Sequence, residues 1–292
     1  MTSRRWMVAA LVALSLLAAG CGKDSSKKKG ASSTATTVAT FPPGTTLDTI
    51  QKRGKLIVGT KFDQPLFGVK NPTTGDIEGF DAEIARLMAK AIFGDPAKIE
   101  FIEAVSKNRE PFLQEGKVDL IVATYTINDK RKQVVDFAGP YYVARQDILV
   151  KKDDNTIKAV QDLNGKKVCT VQGSTSLTNL QAQAPQADVS TLFDKYGLCV
   201  EALNDGRVQA VTTDNAILAG FVEQASDKYK LVGAPFTDEP YGIGLKKGDN
   251  TLQAFLNTQL ETFFGNGQWK KAYDKTLGKV IPGGTPPAIV RY

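Results

Sequence analysis

The sequence predicts an α/β protein built from two units of similar design. From residue 55 onward, apolar and β-branched runs alternate with amphipathic stretches, a pattern typical of strands and helices in a parallel sheet. The alternation restarts after about residue 148, which predicts a second unit of the same style extending to about residue 236. After an N-terminal leader and tether, 292 − 46 = 246 residues remain, enough for one large or two modest domains.

The first unit begins with a strand that carries the run "KLIVGT". In the next amphipathic stretch, Ile84 and Leu87 open an i, i+3, i+4, i+7 series of apolar residues, which predicts a helix. The run "VDLIVAT" is apolar enough for a strand buried on both faces. The predicted elements are, in order, a strand at 55–60, a helix at 79–93, a strand at 98–104, a short helix at 108–117 and a strand at 118–124.

The second unit repeats this order and is followed by a helical tail. Its predicted elements are strands at 147–154, within 163–176, at 188–193 and at 208–214, with helices at 174–184 and 197–207. A strand and turn at 241–250 come next. The apolar residues of the tail share one helical face: Leu252, Phe255, Leu256, Leu260, Phe263 and Phe264. One economical layout packs this tail on the first unit, with chain crossings near 144–147 and 237–240.

The N-terminus has the pattern of an export signal. Arg4 and Arg5 precede an apolar stretch too short for a confident membrane span. Cys21 follows in "LLAAGC", which resembles a bacterial lipobox, so we expect cleavage after residue 20 and a lipid on Cys21. An ordinary secretory signal with an unrelated cysteine is the alternative. Residues 21–46 are rich in Ser, Thr, Gly and Lys and predict a disordered tether.

Composition excludes several classes of function. The chain has 37 Lys and Arg against 31 Asp and Glu, a net charge of +6, which becomes 35 − 31 = +4 without residues 1–20. No basic stripe interleaved with aromatic residues is present, so we expect no nucleic-acid partner. Histidine is absent, which removes the commonest general base and the commonest metal ligand. We therefore expect no metal and no cofactor, although carboxylate chemistry stays possible.

Two cysteines remain once Cys21 is assigned to a lipid. Cys169 and Cys199 are 30 residues apart, and two cysteines in an exported chain favour a disulfide. Closing a loop of that length contributes about 3–4 kcal/mol in the chain-entropy model. Two buried thiols are the alternative.

Five stretches in series resemble the polar amino-acid-binding proteins of bacterial ABC importers. They are "GFDAEIA", "VDLIVATYTINDKRKQVVDFAGPYY", "LNGKKVCTVQGSTS", "VQAVTTDNAIL" and "EPYGIGLKKGD". More narrowly, "VGTKFDQPLFGV" and "SKNREPFLQEGK" are similar to the glutamate- and aspartate-binding members, especially actinobacterial glutamate-binding lipoproteins. The resemblance covers nearly all of residues 47–281, and the five motifs together are far more specific than any one of them.

This resemblance implies a periplasmic-binding-protein-like fold of type II. In such a fold, two lobes with mixed, mostly parallel sheets are joined by two hinge strands and close on the ligand. Lobe I is expected at 47–144 and 240–292, and lobe II at 148–236. The implied protein is a monomer on the outer face of the cell membrane. It captures a free amino acid and delivers it to the membrane subunits of an ABC permease.

The resemblance also assigns residues to the α-amino and α-carboxylate groups of the ligand. Arg131 matches the arginine that grips the α-carboxylate through two parallel hydrogen bonds. Thr126 matches the donor beside it, Thr124 offers a carbonyl to the ammonium, and Asp214 matches the acidic partner of that ammonium. The alternatives are a surface arginine in "DKRK" and an aspartate that only caps the following helix.

The second lobe is expected to close over the carboxylate with the turn "QGSTS". Gly173, Ser174 and Thr175 open a predicted helix, and the N–H groups at a helix N-terminus favour an anion. A plain helix cap is the alternative for this turn, and the two roles are compatible.

Lys61 and Arg109 match the two cations that face the distal carboxylate in acidic-amino-acid binders. A lysine in a partly desolvated cleft needs a negative partner, and an uncharged amide would leave both cations unpaired. Phe62 and Tyr241 are plausible walls for the aliphatic part of the ligand. Arg109 could instead pair with Glu110 or cap its own helix.

Together these residues predict a receptor for glutamate or aspartate. Three cations and one anion match a ligand with two carboxylates and one ammonium. Three alternatives stay open: a ligand sensor for a membrane receptor, a dehydratase-type enzyme, and a glutamine or asparagine binder. The enzyme is the weakest of them, because histidine is absent and every matched residue is used for binding.

Overall fold

Two mixed β-sheets with packed helices organise the chain. The computed structural model describes residues 40–292, so the predicted signal peptide (1–20), Cys21 and most of the predicted tether (21–46) lie outside the described residues. The helices are α1 (Thr46–Arg53), α2 (Phe80–Phe93), α3 (Arg109–Gln114), α4 (Asp129–Lys132), α5 (Thr175–Gln183), α6 (Tyr196–Asn204), α7 (Asn215–Gln224), α8 (Asn250–Gly265) and α9 (Gln268–Lys275). The strands are β1 (Leu56–Thr60), β2 (Asp63–Gln64), β3 (Gly68–Lys70), β4 (Ile77–Glu78), β5 (Ile99–Glu103), β6 (Leu120–Ile121), β7 (Val135–Ala144), β8 (Gln146–Lys151), β9 (Val168–Val171), β10 (Leu192–Phe193), β11 (Ala210–Asp214), β12 (Tyr229–Leu231) and β13 (Glu239–Lys246).

The first sheet has the strand order β5-β1-β6-β13-β7. Strand β1 is parallel to both neighbours, whereas β13 is antiparallel to β6 and to β7. Leu56, Val58 and Leu120 are fully buried, as expected for strands covered on both faces. A separate antiparallel ribbon of β2, β3 and β4 accompanies this sheet.

The second sheet repeats this arrangement with the order β10-β9-β11-β8-β12. Strand β9 is parallel to both neighbours, and β8 is antiparallel to β11 and β12. The predicted α/β class with two mixed sheets is confirmed. Each sheet nevertheless has two parallel and two antiparallel pairings, so the predicted majority of parallel pairings is wrong. Strands β8 and β13 enter from the other lobe without the helical crossover that parallel neighbours require.

Two crossings join the lobes. The chain leaves the first sheet at Ala144 and enters β8 at Gln146, then returns from β12 to β13, which begins at Glu239. The two linking strands run side by side, because Glu239 pairs with Ala144 and Pro240 with Val143 in an antiparallel register. Both crossings lie where the sequence predicts them, while the outer bounds of each lobe stay a prediction.

The C-terminal helices return to the first lobe. Helix α8 packs on β7, and α9 packs on α2 and α8. The predicted apolar face is realised, since Leu252, Leu256 and Leu260 are buried and Phe255 and Phe264 pack against the same core. Gly267, with φ +78°, separates the two helices. Within residues 40–292, no helix combines the length and apolar character needed to cross a membrane.

Several elements differ from the sequence prediction. The strand expected at 118–124 shortens to β6, because Thr124 has φ +45° and its N–H donates to Asp81 instead of to a strand. The strand expected at 188–193 contracts to β10. Strand β7 was not predicted, since Gly139 and Pro140 interrupt its apolar run. Helix α7 is also absent from the sequence prediction. It is apolar along most of its length and therefore lacks the one-sided periodicity that indicates an amphipathic helix.

Residues 41–46 already belong to the packed structure. Thr45 caps α1 by accepting a hydrogen bond from Asp48 N at 3.2 Å. The ring of Phe41 packs edge-on against Phe255, with 5.3 Å between centroids. The last residues of the predicted tether therefore belong to the packed body of the first lobe.

A disulfide joins the two predicted cysteines. Cys169 in β9 and Cys199 in α6 have Cα atoms 5.5 Å apart, and both residues are fully buried. The bond ties helix α6 to the strand that leads into the predicted ligand loop at 172–176.

Candidate functional site

The predicted ligand-binding residues lie mostly where buried strands end at the interface of the lobes. Lys61 follows β1, Thr124 and Thr126 follow β6, and Asp214 ends β11. The carboxyl ends of strands are the usual place for ligand sites in α/β proteins. Side chains from both lobes meet here, because Arg109 and Arg131 of the first lobe both donate to the carbonyl oxygen of Gly173 in the second, at 3.4 and 3.3 Å.

Phe62 is the exception among the predicted residues. Its ring lies 5.9 Å from Lys70 Nζ and lines a separate surface depression with Arg86 and Phe101. The structure therefore does not bring Phe62 into the group formed by the other predicted residues.

Arg131 is a buried cation held by three hydrogen bonds. Its guanidinium lies over the ring of Tyr125 at 4.8 Å and donates to Glu110 Oε1 at 3.2 Å, Thr126 O at 2.7 Å and Gly173 O at 3.3 Å. A guanidinium has five N–H donors, so two remain for a ligand. Burial lowers the pKa of Arg131 to about 10, which keeps it charged at neutral pH. The alternative of a solvated surface arginine is wrong.

Arg109 is also buried, and most of its donors are occupied. Its partners are Ser106 O at 3.2 Å, Ala123 O at 3.1 Å, Thr124 O at 3.2 Å and Gly173 O at 3.4 Å. One of its five N–H donors therefore remains. The alternative pairing with Glu110 is wrong, because Glu110 binds Arg131 instead.

Lys61 is the third buried cation of the group. It is 3% exposed, and its ammonium donates to Ser106 Oγ at 2.8 Å. Within residues 40–292, no carboxylate lies within 4.0 Å of its nitrogen. Burial, and then the nearby Arg109 charge, lower the pKa of Lys61 to about 7. Two of its three N–H donors stay available to a ligand.

Asp214 is a buried carboxylate with one unpartnered oxygen. Tyr241 donates its hydroxyl to Oδ2, while Oδ1 has no partner among the described residues. Asp214 stands at the N-cap position of α7, but its side chain makes no capping hydrogen bond, so the plain-cap alternative fails. Burial, and then the charge of Glu239, raise the pKa of Asp214 to about 7.

Tyr241 supports Asp214 from the other lobe. Its side chain is fully buried, and its ring packs against Phe67 with 5.6 Å between centroids. The ring belongs to the first lobe's core, and the hydroxyl reaches the carboxylate of the second lobe. Tyr241 therefore positions Asp214 at the interface.

Thr126 and Thr175 meet across the cleft on a shared carboxylate. Their hydroxyl oxygens are 3.4 Å apart, and both donate to Glu239 Oε2, at 2.6 and 2.8 Å. The other oxygen of Glu239 accepts from Asn179 at 2.8 Å and Thr237 at 2.9 Å. Glu239 thus ties both lobes to a linking strand.

The turn before α5 combines capping with close contact. Ser174 caps α5 by accepting from Leu177 N at 3.1 Å. Gly173 has φ +77°, and a Cβ there would lie 2.7 Å from Lys107 Cα in the other lobe. Only glycine fits this approach. Lys107 and Asp194 form a salt bridge between the lobes at 2.7 Å.

Three carboxylates of the site escaped the sequence prediction. Asp81 is fully buried and accepts from Tyr141 OH at 2.7 Å and Thr124 N at 2.8 Å, while burial raises its pKa to about 6. Glu110 and Glu239 complete the set. The count of three cations and one anion is therefore wrong, since four carboxylates share the site. "GFDAEIA" and "DEPYGIG" contain two of them, but nothing local marks these residues as buried.

The arrangement suits a small zwitterion. Asp214 Oδ1 can accept from an ammonium, while Arg131 retains one N–H on each terminal nitrogen, a geometry that fits a carboxylate. Lys61 and Arg109 retain three further donors, at a depth where an unpaired charge is costly. A cavity of about 490 Å³ lies on the Arg131 side of this group and is lined by Glu110, Arg131, Gly173 and Thr175, among others, but not by Lys61, Arg109 or Asp214.

Comparison with known proteins agrees with this geometry. The sequence pattern of bacterial extracellular solute-binding proteins, family 3, matches residues 56–279. The ABC transporter glutamine-binding protein GlnH of Bacillus subtilis is 46% identical, covering 80% of this chain and 84% of its own. The glutamate-binding protein GluB of Corynebacterium glutamicum is 39% identical, covering 80% and 83%.

A solved structure shows the same two-lobed architecture. An ancestral arginine-binding protein bound to glutamine superposes with a TM-score of 0.72 at 40% identity, over 77% of this chain and 99% of that chain. The type II periplasmic-binding-protein-like fold that the sequence predicts is thereby confirmed. By its sequence pattern and its fold, this chain belongs to the bacterial extracellular solute-binding proteins of family 3.

Proposed function

We propose that this protein is an extracytoplasmic receptor that captures glutamate or aspartate and delivers it to an ABC importer. In this proposal Cys21 carries the lipid that holds the receptor on the outer face of the cell membrane, and the receptor acts as a monomer. The family comprises extracellular solute-binding proteins, and the relatives above are binding proteins by name, one of them of an ABC transporter. These names support a transport function over a dehydratase-type enzyme.

The α-amino acid end of the ligand is assigned to Arg131 and Asp214. Two open donors on Arg131 accommodate a carboxylate, and the unpartnered Oδ1 of Asp214 accommodates an ammonium. The hydroxyls of Thr126 and Thr175 are engaged with Glu239. Their part in ligand binding therefore falls to their backbone N–H groups, beside a carbonyl of Thr124.

Lys61 is the single observation that favours an acidic side chain. Its ammonium is buried with a hydroxyl partner and no ion-pair partner among residues 40–292. A buried unpaired charge is unfavourable, and a distal carboxylate would pair with it and with the remaining donor of Arg109.

Glutamine is the second candidate ligand. The 46% identical relative is named a glutamine-binding protein, and the ancestral structure holds glutamine. The site also supports this ligand, because Arg109 spends four donors on backbone carbonyls and four carboxylates offset the three cations. Use of the same cleft as a sensor for a membrane receptor would require no change in these contacts.

Calorimetric titration of the purified protein tests the ligand. Glutamate, aspartate, glutamine, arginine and histidine form the panel, and we expect one acidic amino acid to bind most tightly at pH 6.5 and the two cationic or imidazole ligands not to bind. A ligand present at 100 times its Kd adds about 2.7 kcal/mol to the free energy of unfolding. Binding of glutamine with no response to either acid would refute the acidic assignment.

The variant Lys61→Met sharpens this test. It removes the charge and keeps an unbranched side chain of similar length, so we expect glutamate to lose at least tenfold in affinity and glutamine much less. Lys167→Met, at an exposed lysine of the second lobe, is the matched control. Equal losses for both ligands would show that Lys61 serves only the fold.

A further inference from the structure

Lys61 is held by a single hydroxyl in a site where its proton is weakly bound. Its ammonium donates to Ser106 Oγ at 2.8 Å, and the residue is 3% exposed. A buried lysine loses its proton readily, because desolvation penalises the charged form. Hydrogen bonding to a neutral hydroxyl offsets only a small part of that penalty.

The charged groups around Lys61 come from four elements of the first lobe. Arg109 in α3 and Arg131 in α4 oppose its charge, and Asp63 in β2 and Asp81 in α2 favour it. Both carboxylates are engaged elsewhere. Asp81 accepts from Tyr141 OH and Thr124 N, and Asp63 accepts from Gly197 N of the second lobe at 3.3 Å.

The second lobe supplies no direct counter-ion. Its buried carboxylate Asp214 acts on Arg109 and Arg131, and the linking-strand residue Glu239 is occupied by four donors. The balance of these groups brings the pKa of Lys61 to about 7, with burial the largest cause. The amine and the ammonium are therefore both accessible near neutral pH.

We propose that the protonation state of Lys61 decides whether this cleft prefers a carboxylate or a carboxamide at the distal end of its ligand. The proposal rests on the proposed function and extends it. With a proton, the ammonium pairs with the side-chain carboxylate of glutamate. Without one, the neutral amine accepts an N–H of the glutamine carboxamide through its lone pair, and no buried charge is left unpaired.

The two ligands then differ in proton uptake. Above the pKa of Lys61, glutamate binding draws one proton from solvent onto the amine, while glutamine binding draws none. Linkage requires the affinity for glutamate to fall about tenfold per pH unit in that range. Asp214 also titrates near neutral pH, but it faces the ammonium that both ligands share. Its effect therefore cancels in the ratio of the two dissociation constants.

Titration calorimetry of the purified protein from pH 6.0 to 8.5 tests this. We expect the ratio Kd(glutamine)/Kd(glutamate) to fall by about tenfold per pH unit across this range, because glutamine binding releases a proton from Lys61 below its pKa and glutamate binding takes one up above it. Repeating the measurement at pH 8 in buffers of different ionisation enthalpy should give an uptake of about one proton with glutamate and about zero with glutamine.

Two variants of the same residue separate charge from shape. Lys61→Arg keeps a permanent cation, so the ratio should stay flat with pH and favour glutamate. Lys61→Met removes titration, so the ratio should stay flat and no longer favour glutamate. Circular dichroism melting identifies any variant that fails to fold, and the wild-type slope tests the proposal independently of both.

The possible failures are distinguishable. A flat ratio in the wild-type protein that still binds glutamate overturns the switch and leaves the proposed function intact. A pH slope that persists in Lys61→Arg also overturns the switch, because another group must then titrate. Absence of glutamate and aspartate binding at every pH overturns the proposed function itself.

Discussion

Replacing Asp214 with asparagine should stabilise the ligand-free protein and at the same time abolish tight binding. The structure raises the pKa of Asp214 from 3.8 to about 7, chiefly by burial. That change corresponds to about 4 kcal/mol against the ionised form, at about 1.4 kcal/mol for each tenfold change in the equilibrium constant. Lobe opening would hydrate the carboxylate, so this figure is an upper limit.

The sign of the pH dependence follows from the raised pKa. Between about pH 4 and 7 the folded protein binds more protons at Asp214 than the unfolded chain does, so this residue makes stability fall as pH rises through that window. Asp214→Asn removes the effect. At pH 8 the ligand-free variant should therefore melt above the wild-type protein, and at pH 4 the difference should be small.

Binding should change in the opposite direction. The ligand ammonium would lose its buried counter-ion, and removing one partner of such a pair costs about 2–5 kcal/mol. We expect glutamate and glutamine to lose affinity equally, by about 30-fold or more, in calorimetric titration at pH 7.5. In the wild-type protein, both affinities should fall as the pH drops below 7.

Asp205→Asn is the matched control. Asp205 belongs to the same lobe, is half-exposed and pairs with Arg207 on the surface, so its loss should change stability by less than about 1 kcal/mol and leave binding intact. A ligand-free Asp214→Asn protein that melts below the wild type at pH 8 would refute the reasoning. Its carboxylate would then serve the fold as the partner of Tyr241.

Three further predictions concern closure and the framework of the cleft. Gly173→Ala should lower the affinity for every ligand at least tenfold, since its Cβ would lie 2.7 Å from Lys107 Cα of the facing lobe. Gly206 also has a positive φ but has open space around it, so Gly206→Ala should lower only the melting temperature. Equal losses of affinity in the two variants would contradict the role of Gly173 in closure. Glu239→Ala should reduce the free energy of unfolding by about 1–3 kcal/mol and lower the affinity for all amino acids alike. An unchanged melting curve would show that the hydrogen bonds of Glu239 do not stabilise the contact between the lobes. Replacing Cys169 and Cys199 by serine should cost about 3–4 kcal/mol in denaturant unfolding, and a loss below 1 kcal/mol would show that packing alone holds this part of the second lobe.

Local sequence pattern accounts for most of the framework. The strand in "KLIVGT" and the helix in "GFDAEIARLMAKAIF" carry clear periodicity, and both are found within two residues of their predicted ends. The failures have local causes. Strand β7 contains Gly139 and Pro140, and strand β6 stops early because Thr124 adopts a positive φ to reach Asp81.

In the candidate site, some residues are recognisable from the sequence around them, and others only from contacts with residues far along the chain. Arg131 in α4 and Asp214 at the end of β11 stand in motifs that the family resemblance identifies. Glu239 and Asp81 carry no such mark, because their roles depend on donors far away in sequence. Glu239, for example, accepts hydrogen bonds from Thr126 and Thr175, which are 113 and 64 residues away in sequence.

The sequence by itself determined the α/β class and its restart in a second unit, and it favoured the disulfide, because each depends on residue type and local spacing. Its resemblance to a known family pointed to the charged residues of the cleft. Only the tertiary structure decided how those charges are balanced. Desolvation and distance set the proton affinity of Lys61 and Asp214, and both quantities arise from segments that are far apart in sequence and meet only in the folded protein.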